Sequence, residues 1–287
     1  MKPVTSQYAN EGVAIIRNAV EPKLTMAARK EIMGVVEEAS GRQVCNGEDA
    51  RTFVVRSTEA VWEAVTRDPA KRNLLYTYMQ RIPSLFQFGN LKVLREFSEV
   101  IGMKKPSVRE IKIQMFLPWE KLFLQDCHQD INSLDSENSV TFWIPLHDLD
   151  EKSAVTYWAG SHKEGPVPHE AVADEDQAIF LERVPEEFRR KYPVLRKAVA
   201  REGDIITINR LVFHQSPRFE DQLYSRWSVV VRYDDIAGNG LYLNTSKYAA
   251  LTPNSPEKMK GKLDRMRAFL SEKPKINWPE KLKQMKG

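Results

Sequence analysis

From Val108 onward the chain consists of short runs rich in β-branched and aromatic residues, each closed by turn-forming residues: VREIKIQMF, VTFWIPLHDL, VTYWAG, DIITINRLVFH and RWSVVVRY. Side chains alternate between faces along an extended chain, so such runs need another layer to cover their apolar side. The spacing predicts an antiparallel β core over residues 108–235. A polar stretch over 163–197, rich in acids and prolines, interrupts it and reads as a surface excursion or lid.

The flanks have a different period. Residues 8–19 carry the apolar run GVAIIRNAV, which reads as a short strand, and Pro22 suits the first turn of a helix reaching about Ala39. Leu24, Ala27, Ala28, Ile32, Val35 and Val36 recur there at helical spacing. Residues 41–105 read as a polar loop, a strand RTFVVR, and helical stretches over 60–66 and 70–81. Residues 20–105 are thus expected to form a helical support. A Lys-rich helix over 256–273 lies in a tail spanning 252–287. With no internal repeat and no linker, the expectation is one domain over 1–287, α+β with a mainly β core and flanking N- and C-terminal helices.

Composition bounds the partners. The 287 residues suffice to bury roughly three quarters of the surface that the unfolded chain exposes, and 42% hydrophobic with 29% charged residues is ordinary for a globular protein. No apolar stretch approaches the roughly 18 residues of a membrane span, and the N-terminus MKPVTSQYANEGVAII lacks a leader pattern. Two cysteines, Cys45 and Cys127, do not make a disulfide framework. The expectation is a cytoplasmic protein without a membrane partner. A net charge of +4, spread over 43 basic and 39 acidic residues, leaves no nucleic-acid footprint.

Five histidines occur, at 128, 147, 162, 169 and 214. His128 and Asp130 stand two residues apart, so in an extended segment they project to one side while Cys127 and Gln129 point away. One imidazole and one carboxylate on one face make two thirds of a facial triad. A two-His, one-carboxylate set with open positions suits non-haem Fe(II). His214, at the end of DIITINRLVFH, can supply the third ligand. Twelve residues later Arg226 and Ser228 share a face of RWSVVVRY, and an inward Arg in an apolar run needs an anionic partner. Its planar fork and the serine hydroxyl suit the distal carboxylate of 2-oxoglutarate. Two other readings stay open. Zinc on the same three residues could activate water, or the chain could be a catalytically silent β-barrel that holds a metal or a small acid.

Several segments occur in the order found in one family: the helix after GVAIIRNAVEP, HQD at 128–130, VTFWIPLHDLDE, AGSHKEG, EGDIITINRLVFHQSP and RWSVVVRY. In these the chain resembles the phytanoyl-CoA dioxygenase family of Fe(II)- and 2-oxoglutarate-dependent oxygenases, over about residues 8–235. The resemblance implies a double-stranded β-helix (jelly roll, cupin-like). It also implies iron held by His128, Asp130 and His214, and 2-oxoglutarate held by Arg226 and Ser228 with contacts from Gln114 and Trp143. His162 would then be a turn residue, and His147 and His169 read as a strand-end and a loop histidine. The segment SAVTYWAGSH departs from the small, Gly-containing turn common in the family. The implied reaction uses O2 to oxidise a C–H bond of a small molecule, hydroxylation foremost, with release of succinate and CO2. Asp130 argues against halogenation, whose enzymes typically lack this carboxylate. No fingerprint selects the substrate. The regions 72–90, 163–197 and 238–251 are the candidates to contact it.

Overall fold

The computed structural model describes residues 1–121, 124–132, 136, 138–171, 182–237 and 256–286. Two antiparallel sheets carry the architecture. The larger has five strands: β1 (Val13–Ile16), β2 (Pro106–Phe116), β3 (Ser139–Pro145), β8 (Ile205–Asn209) and β10 (Arg226–Asp235), in the spatial order β1-β8-β3-β10-β2. The smaller has three: β4 (Thr156–Trp158), β7 (Leu195–Lys197) and β9 (His214–Gln215), in the order β7-β4-β9. A two-residue pair, β5 (Glu170–Ala171) with β6 (Glu182–Arg183), stands apart from both.

Period-2 patterning gives the larger sheet two unlike faces. Ile113 and Met115 of β2, Phe142 and Ile144 of β3, and Trp227, Val229 and Val231 of β10 are buried in one cluster with helix residues such as Ile32, Phe53 and Phe97. Those residues belong to α2 (Pro22–Ser40), α3 (Ala50–Arg67) and the helix Lys92–Val100. On the opposite face, cross-strand register aligns Glu110, Arg232 and Thr141 in one row and Lys112, Val230 and Trp143 in the next. Gln114, Ser228 and Pro145 follow. Residues paired across strands share a face, so this face sets polar groups beside Trp143, Val230, Ile206 and Ile208, which are buried in a second cluster with Val155 and Tyr157.

The helical support matches the expectation at α2 and over 60–66 and 70–81, and departs from it at the N-terminus and at RTFVVR. Residues 2–11 form helix α1 (Lys2–Glu11), so the first strand is limited to Val13–Ile16. RTFVVR is not a strand: it lies in α3, whose N-cap Asp49 accepts a hydrogen bond from the Thr52 N–H at 2.6 Å. Phe53, Ser57, Ala60, Val61 and Ala64 give that helix one buried face. The cap satisfies a free N–H of the first turn, and the buried face outweighs the strand preference of a six-residue window. The Lys-rich C-terminal helix spans Pro256–Ser271 and is followed by a second, Trp278–Lys286.

The end of the polar stretch also differs from a free excursion, because Leu195–Lys197 pairs with β4 in the smaller sheet. Val167 and Val184 pack in one buried cluster with Cys127 and Phe213. Residues 172–181 of that stretch and the region 238–251 lie outside the described residues. Both cysteines are free. No helix among the described residues is long and apolar enough to cross a membrane.

Candidate metal and cosubstrate site

The two sheets bring the predicted triad together by a route more broken than the sequence suggests. The run DIITINRLVFH is not one strand. It ends at Asn209, turns through the Val212 N–H donating to the Asn209 carbonyl at 3.0 Å, and re-enters the smaller sheet at His214. His128 pairs with His214 as an isolated bridge, each backbone N–H donating to the other's carbonyl at 2.9 and 3.1 Å. Asp130 then opens a 3-10 turn over Asp130–Asn132 instead of continuing a strand. Its N–H donates to the Arg210 carbonyl at 2.9 Å.

One ligand atom from each of His128, Asp130 and His214 lies within 4.8 Å of the others, and all three residues are buried. The His128 Nδ1 faces the Asp126 carbonyl at 2.8 Å and the His214 Nδ1 faces the Val212 carbonyl at 3.0 Å. A carbonyl only accepts, so both Nδ1 atoms carry the proton and both Nε2 lone pairs are free to bind a metal. The His128 Nε2 is buried without a hydrogen-bond partner. Burial and the neighbouring His214 push the His128 pKa down to about 3, so its imidazole is neutral. Burial alone would raise the Asp130 carboxyl, but Arg232, the two histidines and Thr141 hold it well below the usual carboxylate range. The Thr141 hydroxyl donates to Asp130 Oδ2 at 3.0 Å, which leaves Oδ1 on the side of His128 Nε2, 3.9 Å away. Two imidazoles that each turn Nδ1 to a carbonyl, one ionised carboxylate and an orphaned buried Nε2 fit a divalent metal.

Arg226 is 2% exposed, and its guanidinium stacks 4.1 Å from the Phe116 ring centroid and 4.9 Å from that of Trp143. Its Nη1 donates to the Ser153 carbonyl at 2.9 Å. Among the described residues no carboxylate pairs with it, and neither its Nε nor the Ser228 hydroxyl has a partner. Burial pushes the Arg226 guanidinium down to about 9, the direction expected of a cation that lacks its counter-charge. Trp143 Nε1 donates to Gln114 Oε1 at 2.9 Å on the same wall. The open space next to the triad is about 50 Å³, against about 490 Å³ for a cavity bordered by Arg72, Trp119 and Glu120. Size does not identify the site. The donor set does, since no histidine borders the larger cavity.

The remaining histidines have other partners. His147 Nε2 accepts the Trp227 N–H at 3.2 Å, His162 Nε2 lies 3.1 Å from the Ala9 carbonyl, and His169 Nε2 accepts the Gln129 N–H at 3.1 Å.

Sequence reasoning passed over Gln129, Thr141 and Arg232. Gln129 does point away from the triad, but its side chain ties the segment in place. Its Nε2 donates to the Gly165 and Leu211 carbonyls at 2.8 and 2.7 Å, and its Oε1 accepts the Val167 N–H at 2.9 Å. Gln129→Leu leaves those three backbone groups unmatched in a buried place. It is expected to cost about 2–4 kcal/mol, read as a lowered midpoint in chemical unfolding with an unchanged m-value. Period-2 counting from Arg226 through Ser228 and Val230 could have reached Arg232; nothing in the sequence marks Thr141.

The antiparallel core thus carries a buried two-His, one-carboxylate set and, on the same wall, a buried arginine with no carboxylate partner among the described residues. The phytanoyl-CoA dioxygenase (PhyH) family model matches residues 8–220. The chain belongs to that family, as the motif order implied, and is accordingly a non-haem iron enzyme that uses Fe(II), 2-oxoglutarate and O2. Among solved structures it is similar to the non-heme α-ketoglutarate-dependent carbocyclase SnoK from nogalamycin biosynthesis, at 17% identity and TM-score 0.46, over 89% of this chain and 92% of that one. It is also similar to the non-heme monooxygenase ThoJ, at 13% identity and TM-score 0.48, over 98% of each chain. A third similarity is to AviO1 from Streptomyces viridochromogenes Tue57, at 12% identity and TM-score 0.45, over 83% and 96%. No curated protein matches the chain.

Proposed function

We propose that the protein hydroxylates a C–H bond of a small molecule, with iron held by His128, Asp130 and His214 and 2-oxoglutarate held by Arg226 and Ser228. In this reading the two sheets are the halves of a double-stranded β-helix and the described residues form one domain. The carrying observation is the pairing of two unmet needs in one pocket. Three metal-ligand atoms lie within 4.8 Å of each other, and the buried guanidinium on the same wall has no carboxylate partner among the described residues.

When bound, Fe(II) with 2-oxoglutarate and O2 supplies an oxidant strong enough to break a C–H bond, with succinate and CO2 as the other products. The chain does the rest. The Asp126 and Val212 carbonyls hold the two imidazoles in the metal-binding tautomer, and Thr141 orients the carboxylate. Arg226 fixes the far end of the cosubstrate through a planar fork, while Phe116 and Trp143 exclude water from that contact. Zinc at the triad would leave Arg226 and Ser228 with no task.

Anaerobic addition of Fe(II) and 2-oxoglutarate is expected to produce a weak visible charge-transfer band, and admission of O2 to produce succinate. A spectrum unchanged by both additions would sink the reading. A band with no succinate under any substrate would favour a binding protein of the same fold.

A further inference from the structure

The polar face of β10 carries a second arginine, and its surroundings are unlike those of the first. Arg232 lies six residues beyond Arg226, about 20 Å along an extended strand, so the two arginines reach the pocket from opposite ends, Arg232 beside Asp130. Arg232 Nη1 is paired with Glu110, and its Nη2 lies 3.6 Å from Asp130 Oδ1. Its Nε is buried with no partner. Lys112 Nζ lies 3.4 Å from the other oxygen of Glu110. Two cations thus share one carboxylate, and the charge of Asp130 is committed once a metal binds.

Exposure gives the direction of approach. The Lys112 and Glu110 side chains are each 34% exposed and Arg232 is 10% exposed, whereas Arg226 is sealed. Arg232 lines the pocket beside the triad, and Lys112 and Glu110 flank it on the more exposed side, so a substrate that extends from the triad along this wall meets Arg232 and then Lys112. Among the described residues this leaves one positive charge without a carboxylate of its own once Asp130 binds a metal, which favours an anion of single charge.

Building on the proposed iron and cosubstrate site, we infer that the substrate carries a carboxylate, received by Lys112 and Arg232 on the side of the triad away from Arg226. Glu110 bridges the two cations and holds them apart for it, and the group to be oxidised lies on the part of the substrate that reaches past Arg232.

The test uses the full chain loaded with Ni(II), which binds without turnover, and saturating 2-oxoglutarate. Hexanoate and hexanol are then titrated by calorimetry or ligand-observed NMR. Hexanoate is expected to bind at least tenfold tighter than hexanol, with a preference that weakens as salt is raised. Lys112→Met should remove most of that preference and Lys112→Arg should keep it, while both retain Ni(II) and 2-oxoglutarate affinity because Lys112 touches neither site. Equal binding of the two probes, or a preference undiminished in Lys112→Met, would overturn the inference. A silent Ni(II) titration would instead overturn the metal site and this inference with it, so the two failures are distinguishable.

Discussion

Asp130→Ala is expected to abolish both the visible band formed with Fe(II) and 2-oxoglutarate and the production of succinate, while the chain remains folded. Without Asp130 the remaining ligands are two imidazoles, which offer a divalent ion no charge. Loss of groups that merely orient metal ligands typically costs 10- to 100-fold in affinity, so loss of a ligand is expected to exceed about 100-fold. The fold should survive because the arrangement around Asp130 is only partly dismantled. Arg232 keeps Glu110, and the Asp130 backbone N–H keeps its bond to the Arg210 carbonyl. The Thr141 hydroxyl loses its acceptor, at a cost of about 1–3 kcal/mol. Circular dichroism melts run beside the spectra separate lost metal binding from lost structure. A variant that still forms the band would move the carboxylate ligand elsewhere.

That His128, Asp130 and His214 converge as the sequence suggests depends on local geometry other than one strand face. His128 and Asp130 were expected on one strand face. They instead straddle an isolated bridge and a 3-10 turn, and still converge because the backbones of both residues bond across to the 210–214 segment. The strand runs were legible because burial on one face enforces strict alternation, and β2, β3 and β10 follow it. RTFVVR was misleading because six residues cannot display a helical period; the Asp49 cap and the buried face from Phe53 to Val65 extend beyond that window. DIITINRLVFH concealed its break because Leu211, Val212 and Phe213 stay apolar through the turn. Val212 and Phe213 are buried there in two different clusters, which a one-dimensional pattern does not separate. Glu110, Lys112 and Arg232 are silent in the sequence for another reason: single charged residues within a strand usually face solvent, and only cross-strand register brings these three to one row and its neighbour.

Arg226→Met is expected to give two effects of opposite sign. The first is on cosubstrate: removal of a charge-assisted fork in a buried place costs about 2–5 kcal/mol, so 2-oxoglutarate affinity should fall by roughly 30- to 1,000-fold or more. Metal affinity should hold, because Arg226 pairs with none of the three ligand residues. The second effect is on the cosubstrate-free protein, where Arg226 is 2% exposed and has no carboxylate partner among the described residues. Replacing a buried unpaired charge with an apolar side chain of similar length relieves its desolvation penalty, and Met can keep the contacts with Phe116 and Trp143 while giving up the hydrogen bond to Ser153. The variant should therefore melt at a higher temperature than wild type without cosubstrate. Added 2-oxoglutarate should raise the wild-type midpoint, since a ligand at 100 times its Kd contributes about 2.7 kcal/mol, and should leave the variant's midpoint almost unmoved. Arg226→Lys keeps the charge but not the planar fork, so it should recover only part of the affinity. A crossing of the two melting series on addition of 2-oxoglutarate would tie the buried charge to the cosubstrate. If Arg226→Met instead melts lower than wild type and both respond alike to 2-oxoglutarate, Arg226 is a structural residue held by Ser153 and the two rings.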